Sequence, residues 1–93
     1  MPSVLRVVVH NARNLPVTNT RTQAADAFVE ISFWKLPPKK TEVVKKTLNP
    51  VYDTSFRFEI TDTDLLLTEP LVITVLDRDF VQDGTIVSIW ISL

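Results

Sequence analysis

The residue types that this chain lacks exclude several kinds of protein. It contains no cysteine, so neither a disulfide framework nor a thiolate metal site can form. His10 is the sole histidine, which leaves no basis for a zinc site. Gly84 is the sole glycine, so there is no glycine-rich loop to cradle phosphates. No apolar run approaches the ~20 residues that a transmembrane helix requires.

An excess of charge of one sign is also absent. Ten basic residues face eleven acidic ones, a formal net charge of −1, which argues against nucleic acid as a partner. With 93 residues, of which 45% are hydrophobic, the chain suits one small domain, residues 1–93, with a packed core. With Met1 as the start, the opening residues show no secretory signal pattern and predict a cytoplasmic protein.

The apolar pattern predicts strands throughout. Six segments are rich in β-branched or aromatic residues, and several of them alternate with polar residues. They are residues 4–10, 27–34, 41–45, 54–60, 71–77 and 86–93. Leu65, Leu66 and Leu67 suggest a single helical turn, and Trp34 and Trp90 are expected to pack in the core or at a sheet edge. The predicted class is all-β, an antiparallel β-sandwich.

Carboxylates follow the fifth predicted strand. Asp77 and Asp79 lie two residues apart, so both point to the same side of an extended backbone, and Asp83 follows in the next turn. Such like charges repel unless a cation or a partner offsets them, and calcium favours oxygen ligands on loops. If successive strands reverse direction, the first, third and fifth connections meet at one end of the sandwich. That end gathers Asp26, Asn49, Asp53, Asp77, Asp79 and Asp83.

The order of several motifs resembles one known family. Residues 5–16, 26–30, 40–52 and 56–58, followed by the strand that ends in Asp77-Arg78-Asp79, are similar to a C2 domain. The resemblance implies an eight-stranded antiparallel sandwich of the circularly permuted type II topology. It also implies a module that binds phospholipid membranes, often through calcium held between loops, or that binds proteins. Six predicted strands leave the last two of the family missing, and the open sheet edge favours self-association.

The resemblance also implies which residues bind calcium. The ligands map to Asn19, Asp26, Asp77, Asp79 and Asp83. Asn19 stands where calcium-binding members have an acid, so one formal charge is lost and calcium is expected to bind weakly without membrane. In the alternative interpretation, these aspartates hydrogen-bond the backbone of their own turns.

Several further residues are candidates for lipid contact. Phe80 and Val81 suit insertion at the headgroup boundary, while Arg21 and Arg78 are placed to meet lipid phosphates. Lys39 and Lys40 precede the third predicted strand, and Lys45 and Lys46 lie at its end and make the stretch basic. Because Glu30 and Glu42 oppose these lysines, a solvated charged face is favoured over a specific phosphoinositide pocket.

Together these observations predict a module that binds anionic phospholipid membranes, with calcium as cofactor, and that serves targeting or vesicle trafficking. It would be cytoplasmic and peripheral to the membrane. No base is placed beside a nucleophile, so an enzyme is not predicted. One alternative is a calcium-independent module that binds a protein partner through a sheet face or open edge. Another is an immunoglobulin-like sandwich whose acids are turn residues.

Overall fold

The computed structural model describes residues 3–78 and 84–93, and these residues form six strands and one short helix. The strands pair antiparallel in two sheets, which confirms the predicted all-β antiparallel sandwich. The single turn of helix predicted at the three leucines is also confirmed. The elements are β1 (Ser3–Asn11), β2 (Ala27–Phe33), β3 (Lys39–Lys40), β4 (Val51–Ile60), α1 (Leu65–Thr68), β5 (Leu71–Asp77) and β6 (Thr85–Ile91).

The two sheets differ in size. One has two strands, β1 and β4, and the other has four, in the order β3-β2-β5-β6. In the larger sheet β2 and β5 pair along their whole length, from Ala27 opposite Asp77 to Phe33 opposite Leu71. This register places the end of β5 beside the start of β2, which is where the candidate site lies.

The core forms between the sheets because β2 and β4 alternate apolar and polar residues. The period of two sends Phe56, Phe58 and Ile60 of β4 to the inner face, while the residues between them stay exposed. On β2, Ile31 and Phe33 are fully buried. Burying a side chain of this size stabilises the fold by about 1.5–3 kcal/mol. These residues therefore hold the two sheets face to face.

The prediction of a third strand over residues 41–45 was wrong. The strand that pairs with β2 is Lys39–Lys40, and the following residues lie beside β2 without continuous pairing. Thr41 is buried, and its hydroxyl oxygen accepts a 2.9 Å hydrogen bond from the Val29 N–H in place of a backbone carbonyl. Val44 then makes an isolated bridge to Ala27. The Thr41 side chain thus replaces one backbone acceptor in the pairing with β2, and the regular strand ends there.

The expectation that the tryptophans pack in the core or at a sheet edge is met only in part. Trp34 and Trp90 are both exposed, so neither packs in the core. Trp34 directly follows β2, has a positive φ of 51°, and lies under the Lys35 ammonium at 5.7 Å from the ring centroid. Trp90 lies opposite Val72 in β6, the outermost strand of the larger sheet. Pattern alone did not show that these two positions face outward.

The inner face of β6 is not covered by the smaller sheet. Val87, Ile89 and Ile91 of β6 lie opposite Val75, Ile73 and Leu71 of β5, so they share the face that β5 turns to the core. They nevertheless remain 41%, 48% and 37% exposed. The smaller sheet lies instead over the β2–β3 side, where the Lys39 ammonium is 5.5 Å from the centroid of the Phe58 ring.

Candidate functional site

The pairing of β2 with β5 brings two of the predicted acids together. Asp26 directly precedes β2, and Asp77 is the last residue of β5. The Asp26 N–H donates a 3.3 Å hydrogen bond to Oδ2 of Asp77, and the Arg78 N–H donates a 2.9 Å bond to the Asp26 carbonyl oxygen. Two acids that are 51 residues apart in the chain thus become neighbours at the loop end of the sandwich.

Asp77 is the more deeply buried of the two acids, with 3% of its surface exposed. Besides the Asp26 N–H, the hydroxyl of Thr18 donates to its Oδ2 atom. A buried carboxylate requires such donors because it has lost its water. Thr18 belongs to the loop between β1 and β2, so Asp77 ties that loop to the end of β5.

The two carboxylate oxygens of Asp26 bind different donors. Oδ1 accepts a 2.7 Å hydrogen bond from the Lys46 N–H, while Oδ2 lies 3.4 Å from the Arg78 guanidinium. The Asp26 side chain is 13% exposed and the Arg78 side chain 44%. Lys46 has a positive φ of 56°, the turn at which the third connection passes the site. The first and third connections and the start of the fifth therefore meet at one end, as the alternation of strands predicted.

Asn19 uses its side chain within its own loop. Its amide oxygen accepts hydrogen bonds from the Arg21 N–H at 3.0 Å and the Thr22 N–H at 3.4 Å. This is the local turn geometry that asparagine favours. The Asn49 oxygen accepts from the Asn14 N–H of the first loop, whereas Asp53 of β4 pairs with His10 of β1 at 3.1 Å. The two asparagines thus brace loops, and Asp53 joins the two strands of the smaller sheet.

Two carboxylates of the predicted calcium set are therefore adjacent. Asp79 and Asp83, together with the predicted membrane-inserting Phe80 and Val81, lie outside the described residues. Within residues 3–78 and 84–93 no group of three acidic or histidine side chains is close enough to hold a metal ion. The oxygens of Asp26 and Asp77 suit a hard cation such as calcium, and a calcium site here would need the remaining predicted ligands as well.

The predicted lipid-contacting cations lie at two places. Arg21 is exposed in the first loop, and Arg78 lies at the acid pair. Lys39 and Lys40 are exposed on β3, away from the loop end, and the Lys40 ammonium lies 5.9 Å from the centroid of the Phe28 ring. Because Lys40 pairs in register with Glu30, part of the positive potential on this face is offset, as expected from the sequence.

Sequence reasoning missed the residues that hold the acid pair in place. Nothing in the sequence singled out the Thr18 hydroxyl or the Lys46 N–H, because both act through contacts between distant loops. The sequence indicated Arg78 only as a lipid-contacting residue, although an arginine between two acids is itself a signal for a local ion pair.

Across the described part of the chain, no helix has the length and apolar character needed to cross a membrane.

Comparison with known proteins agrees with this architecture. C2 domain-containing protein 5 of Xenopus tropicalis is 45% identical over 80 residues, which is 85% of this chain and 8% of that protein. Synaptotagmin-like protein 2 of Bos taurus is 37% identical over 79 residues, 81% of this chain and again 8% of that protein. The chain thus spans less than a tenth of the length of these curated relatives.

Solved structures share the fold. A C2 domain of plant extended synaptotagmin 1 superposes with a TM-score of 0.81 at 29% identity, covering 96% of this chain and 67% of that one. A calcium-bound structure of two C2 domains of extended synaptotagmin 2 superposes with a TM-score of 0.78 over 96% of this chain and 29% of that one. At 22% identity, the second comparison shows the fold alone. The family model for the C2 domain matches residues 3–93, and this chain belongs to the C2 domain family.

Proposed function

We propose that this C2 domain binds anionic phospholipid membranes in a calcium-dependent manner. The observation that supports this most directly is the pair of adjacent carboxylates, Asp26 and Asp77, at the loop end of a rigid sandwich. Asp79 and Asp83 would complete the ligand set, with Asn19 contributing an amide oxygen once its turn opens. Loops carried by a rigid scaffold are where binding residues concentrate.

The mechanism follows from charge. Without a cation, Asp26 and Asp77 carry negative charge that repels anionic lipid. When bound, calcium supplies positive charge and coordination positions for lipid phosphate oxygens. Arg21 and Arg78 would then meet phosphates, and Phe80 and Val81 would insert at the headgroup boundary, with each buried CH₂ contributing roughly 0.8 kcal/mol. Such a module suits targeting or vesicle trafficking at the cytoplasmic face of a membrane.

Liposome co-sedimentation tests the proposal. The wild-type chain should bind phosphatidylserine vesicles in calcium and be released by a chelator. The double variant Asp77→Asn with Asp79→Asn should lose this binding, because two ligand charges are gone. Glu59→Gln together with Asp64→Asn removes the same charge from exposed residues of other segments and should bind as the wild type does. Vesicle binding that persists unchanged in chelator would contradict the proposal.

The uncovered inner face of β6 favours a second candidate, a calcium-independent interaction module that self-associates. Val87, Ile89 and Ile91 lie exposed on the face that carries the core of β5. Sedimentation equilibrium in chelator tests it: the wild type should form dimers or larger species, and Ile89→Lys should shift it to monomer. Ser88→Lys, on the opposite face of the same strand, is the matched control. A wild-type chain that stays monomeric at high concentration would rule out this candidate.

A further inference from the structure

Arg78 holds a fixed place beside the acid pair. Its N–H donates a 2.9 Å hydrogen bond to the Asp26 carbonyl oxygen, which anchors the backbone at the point where β5 has ended. From there the guanidinium reaches the Asp26 carboxylate, with 3.4 Å between the nitrogen and Oδ2. A full positive charge that belongs to the chain itself therefore lies against one of the proposed calcium ligands.

Lys46 and Arg78 differ in how easily they can leave Asp26. The Lys46 N–H is part of the backbone, and its 2.7 Å bond to Oδ1 comes from a residue with a positive φ of 56°. The Arg78 guanidinium is carried on a long side chain that is 44% exposed. The ion pair at Oδ2 can therefore be broken by rotation of the Arg78 side chain, whereas breaking the Lys46 bond to Oδ1 requires movement of the backbone.

We propose that Arg78 is an internal counter-ion that competes with calcium for Asp26 and is drawn away by lipid phosphate. The inference rests on the proposed function and concerns the regulation of that same site. A guanidinium pairs with phosphate oxygens through parallel hydrogen bonds, so an anionic membrane offers Arg78 an alternative partner. Moving Arg78 to lipid would remove its positive charge from Asp26 Oδ2 and so favour calcium there. By linkage, the membrane raises calcium affinity and calcium raises membrane affinity by the same factor.

The substitution Arg78→Gln isolates this effect. It keeps the backbone N–H that bonds Asp26 and removes the competing charge. Calcium should then bind roughly two- to fivefold more tightly in the absence of lipid, the range expected for loss of a partly exposed ion pair. The gain in calcium affinity on adding phosphatidylserine vesicles should shrink, because Arg78 no longer has to move.

Arg57→Gln is the matched control. It removes the same charge from an exposed residue in the middle of β4, opposite Arg6 and away from the acid pair. The experiment is a calorimetric titration with calcium chloride, with and without phosphatidylserine vesicles, on the wild type and the two variants. Circular dichroism melting of each protein checks that it is folded.

The outcomes separate this inference from the proposed function. Tighter calcium binding by Arg78→Gln than by both the wild type and Arg57→Gln supports the inference. Calcium binding that is equal in the two variants overturns it and leaves the proposed function standing. If no protein binds calcium with or without vesicles, the proposed function fails, and the competition inferred for Arg78 fails with it.

Discussion

The Tyr52 hydroxyl donates a 2.7 Å hydrogen bond to the Ala27 carbonyl oxygen and thereby joins β4 of the smaller sheet to β2 of the larger one. Ala27 is the residue directly after Asp26 and lies opposite Asp77, so this bond braces the candidate site from across the core. Burial of the Tyr52 phenol raises its pKa to about 12. The same burial makes the stability of the fold depend on pH.

The raised pKa sets the direction of that dependence. The unfolded phenol ionises near pH ~10, so its stabilising contribution is complete below that pH and is lost as pH rises towards about 12. We expect the free energy of unfolding to fall by about 1–2 kcal/mol over this range, after a discount for solvent screening. Urea denaturation of the wild type and of Tyr52→Phe, at a series of pH values, measures it.

The phenylalanine variant also serves as the control for other ionisations. It should be less stable than the wild type at neutral pH by about 0.5–1.5 kcal/mol, the typical value of one hydrogen bond. Its stability should change less above pH ~10, because lysine ionisation is common to both proteins whereas the phenol is gone. Stability curves that run parallel over the whole range would contradict the assignment.

The buried hydroxyl of Thr41 gives a second prediction, which concerns only the stability of the fold. This hydroxyl accepts from the Val29 N–H and donates to the Glu42 carbonyl oxygen, both at 2.9 Å. Thr41→Val should destabilise the fold by about 1–3 kcal/mol, because the hydroxyl that satisfies the Val29 N–H is lost. Thr41→Ser retains the hydroxyl and should cost less. Chemical denaturation gives both values, and a valine variant as stable as the serine variant would refute this role.

The lysines of β3 test whether lipid binding uses a specific pocket. Lys39 and Lys40 are exposed, but Lys40 pairs in register with Glu30. We expect Lys39→Gln with Lys40→Gln to weaken binding to phosphatidylserine vesicles by less than about tenfold, an effect that high salt should abolish. The control, Arg6→Gln with Arg57→Gln, removes the same charge from exposed residues of the smaller sheet.

A specific phosphoinositide pocket at the same lysines would give a different result. Replacing them would then abolish binding to phosphoinositide vesicles, and salt would change that loss little. Vesicle co-sedimentation at low and high salt, with each lipid, separates the two cases. A control pair with an effect as large as the lysine pair would show that net charge alone matters.

Much of the fold could be predicted because the pattern of a strand is visible in a short stretch of sequence. Alternation along β4 and the β-branched residues of β2 and β5 indicate which residues face inward before any partner strand is known. The reversal of successive strands then predicts that Asp26 and Asp77 meet at one end. Both predictions use only the order of residues along each strand and the assumption that successive strands run in opposite directions.

The errors came where a contact between distant residues overrides the local pattern. The third strand is shorter than its β-branched residues suggest, because the Thr41 side chain replaces a backbone acceptor for Val29. Trp34 and Trp90 are exposed, since hydrophobicity alone does not say which face of a sheet a strand turns outward. In each case the outcome depends on how one strand aligns with its neighbour, which the sequence of a single segment does not contain.

Composition and the local residue pattern established the all-β class, the absence of cysteine, and the acids at strand ends. Those properties follow from the residue types present and from the period of two along a strand. Which donors hold the acids could be seen only in the folded chain: Thr18 at Asp77, and both Lys46 and Arg78 at Asp26. The reason is that hydrogen bonds act over about 3 Å, and only folding brings residues of three separate loops within that distance.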